Sequence, residues 1–178
     1  MWDQELYIKA FRFAAEAHGS QKVPGSEISY LFHISLVASE AASVLFQEDI
    51  KKPDLMIQCA ILHDTVEDTD TTREMIETIF GEEVAAGVDA LTKPGDMLKE
   101  AAMKESIARI RHQPREIWMV KLADRITNLQ PPPDHWTRQR CDEYREEAFY
   151  ILKTLGEASP FLAGRMAQKI SRYEEYCS

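Results

Sequence analysis

Apolar residues recur at the spacing of an α-helix along nearly the whole chain, which limits the folds it can adopt. Neighbouring apolar residues are one, three or four positions apart at Leu6, Ala10, Phe13, Ala14 and Ala17, and again at Leu36, Val37, Ala41 and Val44. Spacing of this kind places the apolar side chains on one face of a helix. No stretch alternates apolar and polar residues between tight Asn-Gly or Asp-Gly turns, as β-hairpins do. The sequence therefore predicts an all-α fold, a bundle of about eight to ten helices.

Proline, glycine and short polar residues mark several helix ends. Pro53 fits the first turn of a helix, because that position needs no backbone N–H donor. Thr71 or Asp70 can cap the following helix, and Gly81 can end it. Further helices are expected at 82–91, 97–111, 115–129, 138–155 and 160–176. The three consecutive prolines at 131–133 predict a stiff loop rather than a linker between domains.

Length, charge and cysteine content limit the classes of function. A chain of 178 residues has room for a substantial core, and we expect residues 1–178 to form a single domain. The net charge of −9 argues against a general nucleic-acid-binding protein. The sequence has no apolar run of about 18 residues to span a membrane, and its acidic start is unlike a secretory signal. The cysteines lack a CxxC spacing and are interpreted as free thiols, so we expect a cytoplasmic protein, whose oligomeric state the sequence leaves open.

The run ILHDTVEDTD at 61–70 concentrates acidic groups behind a histidine. His63 and Asp64 are adjacent, and Glu67 and Asp68 follow about one helical turn later. Carboxylates crowded in this way repel one another, and a bound cation removes the conflict. The run therefore indicates a metal site.

Two residues elsewhere in the chain can complete the set of metal ligands: His33 in YLFHISLVA and Asp124 in VKLADRITN. Taken alone, a histidine flanked by apolar residues would be interpreted as a core residue bonded to the backbone. Together with the His-Asp pair, it favours a ligand. A mixed nitrogen and oxygen set without thiolate suits Mn²⁺, Fe²⁺ or Co²⁺ with open water positions, and Zn²⁺ less well.

Four segments follow, in order, the hydrolase motifs of the RelA/SpoT family, which is a group of HD-type metal phosphohydrolases. They are residues 14–33 (AAEAHGSQKVPGSEISYLFH), 60–72 (AILHDTVEDTDTT), 80–93 (FGEEVAAGVDALTK) and 120–129 (VKLADRITNL). Residues 135–148 also resemble the substrate-side helix of the small stand-alone members. The chain thus resembles a stand-alone hydrolase of the metazoan SpoT homologue type over most of its length, with the poorest match between Pro94 and Trp118.

The resemblance implies an HD-domain fold with one Mn²⁺ per chain. In the family a His, a His-Asp pair and a distant Asp share the metal, and the matching residues are His33, His63, Asp64 and Asp124. A Glu-Asp pair at the position of Glu67 and Asp68 serves catalysis there, by orienting water or transferring its proton. The residues alone leave another role open, because Asp68 and Asp70 can also cap the next helix.

An anionic substrate needs cationic and hydrogen-bonding side chains, and the chain offers several. The family has a substrate-contacting basic residue at Lys22, although Val23 and Pro24 stand where a second basic residue often follows. The other candidates are Lys93, Lys99 and Lys104, the helix pair Arg140 and Tyr144, and Asn128 one turn after Asp124. Tyr30 can stack on a substrate or pack in the core. Most charged residues on helices are simply solvated, so none of these identifies the substrate by itself.

The resemblance implies an enzyme of alarmone metabolism and hence of the stringent response. Such an enzyme removes the 3′-pyrophosphate of guanosine tetra- and pentaphosphate and yields GDP or GTP with pyrophosphate. One alternative is another HD-type nucleotide phosphatase, such as one acting on the 2′-phosphate of NADPH. A second is a non-catalytic, antitoxin-like binding protein, against which the complete ligand set and Glu67 argue. The metal chemistry is common to both enzymes, so the sequence does not separate them.

Overall fold

The computed structural model describes residues 2–95 and 97–176, the side chains of Lys99 and Glu100 excepted. In these residues nine helices of two turns or more and one single-turn helix account for the fold. They are α1 (Gln4–His18), α2 (Leu31–Ser43), α3 (Pro53–Leu62), α4 (Thr65–Asp68), α5 (Arg73–Phe80), α6 (Glu82–Leu91), α7 (Lys99–Arg111), α8 (Arg115–Asn128), α9 (Arg138–Leu155) and α10 (Pro160–Tyr176). The extended pairing within the described ranges is one isolated bridge between Lys22 and Ser29. The all-α prediction is confirmed.

The sequence signals for helix ends are mostly confirmed, with one correction. Pro53 opens α3, and Gly81, at a φ of +92°, separates α5 from α6. The cap of α5 was predicted one or two residues too early: its side-chain acceptor is Thr72, which takes a hydrogen bond from the backbone of Met75. Thr72 has the extended backbone that a capping residue needs, and the preceding Thr71 hydroxyl is bonded to Thr69 instead.

Helix α3 is the centre of the bundle. All eight residues from Leu55 to Leu62 are buried, because α3 packs against α1, α2, α6 and α8. Its sequence has no polar face, as expected for a helix surrounded by others. The neighbouring α8 is nearly as enclosed, and its buried stretch includes the charged residues Lys121, Asp124 and Arg125. Charged groups at such positions require partners, which points to a polar site beside the core.

The chain breaks its helix at the His-Asp pair. Helix α3 ends at Leu62, His63 follows as its C-cap, and the backbone of Asp64 has φ −101° and ψ −3°. The next residues form only the single turn α4, tied back by the bond from the Thr65 hydroxyl to the carbonyl of Leu62. Glu67 and Asp68 therefore lie on an element separate from α3, so they follow the His-Asp pair without sharing one continuous helix with it. The break turns Asp64 and α4 away from the core and towards the surface.

The remaining global expectations concern loops, thiols and membranes. Residues 131–133 lie in the loop between α8 and α9, which pack against each other within one core. Cys59 and Cys141 are buried free thiols, whereas Cys177 lies outside the described residues. In the described ranges no helix is both long and apolar enough to cross a membrane. The boundary of a single domain at 1–178 stays a prediction.

Candidate metal centre and the adjoining cleft

The four predicted ligands come together from four parts of the fold. His33 lies on α2, His63 caps α3, Asp64 precedes α4, and Asp124 lies on α8. The Nε2 atoms of His33 and His63 are 3.3 Å apart, and Oδ2 of Asp64 is 3.5 and 3.0 Å from them. Oδ1 of Asp124 is 3.7 and 3.8 Å from the same two nitrogens. Both histidines are buried.

These separations fit a shared divalent ion. Ligand atoms about 2.1 Å from one ion are about 3.0 Å apart at right angles and about 3.4 Å apart at the tetrahedral angle. His33, His63 and Asp64 alone form a compact group able to hold a metal, and Asp124 approaches it from the opposite helix. The donor set contains nitrogen and oxygen but no sulphur, which is compatible with Mn²⁺ and does not identify the metal.

The orientation of the rings supports the same interpretation. Nδ1 of His63 lies 3.0 Å from the carbonyl of Ala60, and a carbonyl only accepts, so Nδ1 carries the hydrogen. When His63 is neutral, its Nε2 atom therefore carries a lone pair, and Nε2 of His33 lies 3.3 Å from it. A cation or a proton shared between the two nitrogens accounts for this approach. A hydrogen bond to the far ring nitrogen is the usual way in which proteins orient a ligating histidine.

Both carboxylates receive further hydrogen bonds. The Tyr30 hydroxyl donates to Oδ2 of Asp64 at 2.5 Å. Oδ1 of Asp124 accepts from the Asn128 amide at 2.6 Å, and Oδ2 accepts from the Lys121 ammonium at 2.9 Å. The side chains of Lys121 and Asp124 are almost fully buried, so this ion pair is shielded from water. Hydrogen bonds from neighbouring side chains thus fix the orientation of each acidic candidate ligand.

The charges of the centre shift the ionisation of its members. Burial lowers the pKa of His63, but Asp64 and then Asp124 outweigh it and raise the pKa to about 9. Burial raises the pKa of Asp64, yet the two histidines hold it well below its ordinary value. Burial likewise opposes ionisation of Asp124, and Lys121 followed by His63 lowers its pKa. The centre therefore favours ionised carboxylates and attracts positive charge.

Glu67 and Asp68 lie on the single turn α4, on the rim of the centre. Lys93 grips Glu67 twice: its backbone N–H donates to Oε2 at 2.9 Å and its ammonium contacts Oε1 at 2.5 Å. Asp68 accepts a long bond of 3.4 Å from the Gln21 amide. Burial, followed by repulsion from Asp64 and Glu67, raises the pKa of Asp68. Such a carboxylate is suited to exchanging protons.

A cleft of about 630 Å³ opens beside the centre. The predicted site residues that line it are Asp64, Glu67, Asp68, Lys93, Asp124, Asn128, Arg140 and Tyr144. Lys22 and Lys104 are exposed and are not part of its lining, while the side chain of Lys99 lies outside the described residues. The structure thus brings most, but not all, of the candidate substrate residues together.

Two of the candidate substrate residues have other partners. Lys93 was expected to meet phosphate, but its ammonium and backbone N–H are both engaged by Glu67. Asn128 was expected to contact ribose or phosphate, but its amide is bonded to Asp124. Both still line the cleft, and their direct contact with substrate stays a prediction.

At the cleft, two guanidinium groups lie over aromatic rings. The guanidinium of Arg125 lies 4.3 Å from the ring centroid of Tyr144, and that of Arg140 lies 5.0 Å from the centroid of Trp136. The two rings meet edge to face at 5.3 Å. Glu147 links both arginines, at 3.3 Å from Arg125 and 3.9 Å from Arg140. We call these five residues the aromatic wall.

Sequence reasoning missed several of these residues. Lys121 and Arg125 were not singled out, although they share the helical spacing of Asp124 and Asn128 on one face of α8. That periodicity could have found them. Glu147 lies one turn after Glu143 in an acidic stretch and resembles an ordinary solvated residue. Only its tertiary contact with Arg125 of α8 distinguishes it, because Arg140 lies on the same helix.

The chain is similar to known proteins along most of its length. Residues 10–159 match the HD domain family. The guanosine-3′,5′-bis(diphosphate) 3′-pyrophosphohydrolase MESH1 of Danio rerio is 31% identical over 171 residues, which cover 92% of this chain and 91% of that protein. The protein of the same name from Xenopus tropicalis is 33% identical over 169 residues, covering 92% of both.

A solved structure shares the fold. It is described as a metazoan orthologue of SpoT that hydrolyses ppGpp, and it superposes with a TM-score of 0.83 over 97% of both chains. At 24% sequence identity this likeness bears on the fold alone.

Proposed function

Because this chain belongs to the HD-domain family, among the hydrolases related to MESH1, we propose that it is a metal-dependent guanosine-3′,5′-bis(diphosphate) 3′-diphosphatase. Its substrates would be guanosine tetra- and pentaphosphate, and its products GDP or GTP and pyrophosphate. The partner is then a small nucleotide rather than a nucleic acid, and the expected location is the cytoplasm.

One observation carries the proposal: a single cleft joins the candidate metal centre to the aromatic wall. The lining of the cleft includes Asp64 and Asp124 from the centre and Arg140 and Tyr144 from the wall. A volume of about 630 Å³ lies within the range of small-molecule sites. A nucleotide bound across the cleft could set a phosphate at the centre while its base or outer phosphates meet the wall.

The four ligands would hold one Mn²⁺, with Fe²⁺, Co²⁺ or Zn²⁺ less expected. Bound there, the ion would supply a Lewis acid that acidifies water and offsets phosphoryl charge. The residues that keep it in place are His33, His63, Asp64 and Asp124, steadied by Tyr30, Asn128 and Lys121. The burial of His33, His63 and Asp124 excludes bulk water from the side of the core.

Proton transfer is assigned to α4. Glu67 would accept a proton from the attacking water, since Lys93 fixes both of its oxygens and aims it along the cleft. Asp68, with its raised pKa, would deliver a proton to the departing oxygen. Arg140 would neutralise charge on a phosphate, and Tyr144, which lines the cleft, would support the base.

A comparison of substrates tests the proposal. With Mn²⁺ supplied, the protein is incubated with guanosine tetraphosphate, NADPH and simple nucleotides, and orthophosphate and pyrophosphate are measured separately. We expect pyrophosphate and GDP from guanosine tetraphosphate, because attack of water at the 3′-linked phosphorus breaks its bond to the ribose 3′-oxygen. That oxygen takes a proton, and the two phosphates leave together as pyrophosphate. Faster release of orthophosphate from NADPH would assign the chain to a 2′-phosphatase. Absence of turnover with every nucleotide would favour a binding protein.

A further inference from the structure

Tyr30 and Gln21 lie between α1 and α2, and their polar groups reach two acidic residues of the site. The Tyr30 hydroxyl donates at 2.5 Å to Oδ2 of Asp64, which is the oxygen that faces the two histidines. The Gln21 amide nitrogen approaches Oδ2 of Asp68 at 3.4 Å. One short segment thus contacts both a candidate ligand and a candidate proton carrier.

His18 fixes the orientation of the Gln21 amide. Its Nδ1 lies 2.8 Å from Oε1 of Gln21, and because that oxygen only accepts, His18 donates. The amide nitrogen is therefore the atom left to face the carboxylate of Asp68. The Gln21 backbone bonds the carbonyl of His18 at 2.8 Å and the N–H of Tyr30 at 2.9 Å. The rings of His18 and Tyr30 pack with centroids 4.9 Å apart, which ties the three residues into one unit.

We propose that Tyr30 and Gln21 are positioning residues of this hydrolase. Tyr30 orients Asp64 towards the metal, and Gln21 aims Asp68 into the cleft. The part that concerns Asp68 rests on the proposed function, whereas the part that concerns Asp64 involves the metal site alone. A hydrogen bond of this kind from outside the ligand set commonly controls both ligand orientation and metal affinity.

The chemistry of the two donors suits that role. A hydroxyl and an amide hold a carboxylate without placing a full positive charge beside it, so Asp64 keeps its negative charge for the metal and Asp68 remains able to exchange a proton. Lys121, by contrast, places a full positive charge on Asp124. The Tyr30 hydroxyl carries the proton of its bond to Asp64, since an ionised carboxylate only accepts.

A purely structural role for Tyr30 would depend on its ring. That ring packs against His18 and, at 5.3 Å, against His33. The variant Tyr30→Phe keeps the ring and removes only the hydroxyl. Tyr150→Phe is the matched control, because Tyr150 lies on α9, its ring is partly exposed, and it is not part of the cleft lining.

The first measurement is the Kd for Mn²⁺, determined by calorimetry without substrate. For Tyr30→Phe we expect a Kd raised by about 10-fold to 100-fold, with the melting temperature close to that of the unchanged protein. Tyr150→Phe should leave the Kd unaltered. An unchanged or smaller Kd in Tyr30→Phe would overturn the assignment of Tyr30 to Asp64. This result does not depend on which nucleotide is hydrolysed.

The second measurement separates Asp68 from the metal. In Gln21→Met the amide is lost while the side chain keeps its length, so we expect kcat at saturating Mn²⁺ to fall by about 10-fold or more. Its Kd for Mn²⁺ should stay unchanged, because Gln21 contacts Asp68 and not Asp64. Unchanged kcat would overturn the Asp68 part. If no nucleotide is turned over, that part fails with the proposed function, and the Kd of Tyr30→Phe still decides the Asp64 part.

Discussion

At the scale of single residues, Asp124 has two roles, as a candidate metal ligand and as the charge partner of Lys121. One oxygen faces the histidines, and the other accepts from the ammonium of Lys121 at 2.9 Å. Lys121 is buried on α8, where an unpaired ammonium is strongly unfavourable. A loss of metal after mutation of Asp124 would therefore be accompanied by a loss of stability. A second substitution at Lys121 can separate the loss of metal from the loss of stability.

Asp124→Asn should abolish metal binding and lower the free energy of unfolding by about 3 kcal/mol, because Lys121 is left without its charge partner. Adding Lys121→Met should restore most of that stability without restoring metal. Elemental analysis and denaturant unfolding of both variants provide the measurements. Retention of about one Mn²⁺ per chain by Asp124→Asn would show that Asp124 is not an essential ligand.

Glu67 is the residue to which we assign proton transfer. Glu67→Gln keeps the shape of the side chain but cannot accept a proton, so kcat should fall by roughly 100-fold or more while Mn²⁺ stays bound. Glu16→Gln, an exposed residue of α1, is the matched control and should behave like the unchanged protein. Single-turnover kinetics and metal analysis provide the readouts. Lost metal would make Glu67 a ligand, and unchanged turnover would leave it without a catalytic role.

At the scale of helices, the packing of α6 against α3 and α8 leaves no room at Gly87. A Cβ atom added there would lie 2.7 Å from Cδ1 of Ile117 and 2.8 Å from the thiol of Cys59, and both of those side chains are fully buried. At Gly164, on the exposed side of α10, no atom lies within 4 Å of an added Cβ. The two glycines therefore form a natural pair for testing the packing.

Gly87→Ala should lower the free energy of unfolding by about 1–2 kcal/mol, because overpacking outweighs the gain in helix propensity. Gly164→Ala should raise it by about 0.4–1 kcal/mol, because only the propensity and the entropy of the unfolded chain change. Urea unfolding measures both. Stabilisation by Gly87→Ala would mean that α6 lies farther from α8 than the structure places it.

Local patterns were sufficient to predict the long helices. The helices expected at 82–91, 138–155 and 160–176 are observed with the same bounds. The first begins after a glycine, the second after a threonine cap and the third at a proline. The exact break after Leu62 was not predicted, because His63 and Asp64 are compatible with a continuing helix. The tertiary contacts of these residues decide where α3 ends.

The candidate site was predictable in its residues but not in its pairings. The four ligands could be found because a cation was needed to explain the acidic run. The bond from Lys93 to Glu67 joins residues 26 positions apart, and that from Tyr30 to Asp64 joins residues 34 apart. Neither separation has a sequence signature. Contacts of this kind depend on how α2, α4 and the segment after α6 meet.

At the scale of the whole molecule, the net charge of −9 opposes the approach of a polyphosphate. Exposed acids of the surface contribute a long-range repulsion that salt screens within about 8 Å at physiological ionic strength. The cleft compensates locally through Arg140 and Arg125 on the aromatic wall. Long-range charge and local contact are therefore distinct contributions to substrate binding, and two arginines of α9 can separate them.

Arg140→Gln and Arg138→Gln each change the net charge from −9 to −10, but only Arg140 lines the cleft. For Arg140→Gln we expect the KM for guanosine tetraphosphate to rise by about 10-fold to 100-fold, the scale of one charge-assisted hydrogen bond. Arg138 is exposed and contacts Asp142, so Arg138→Gln should change KM by less than about twofold at physiological salt, where its field is screened. Equal increases in the two variants that disappear at high salt would assign the effect to long-range charge. A persistent increase confined to Arg140→Gln at every salt concentration would mean that its guanidinium contacts the phosphate directly.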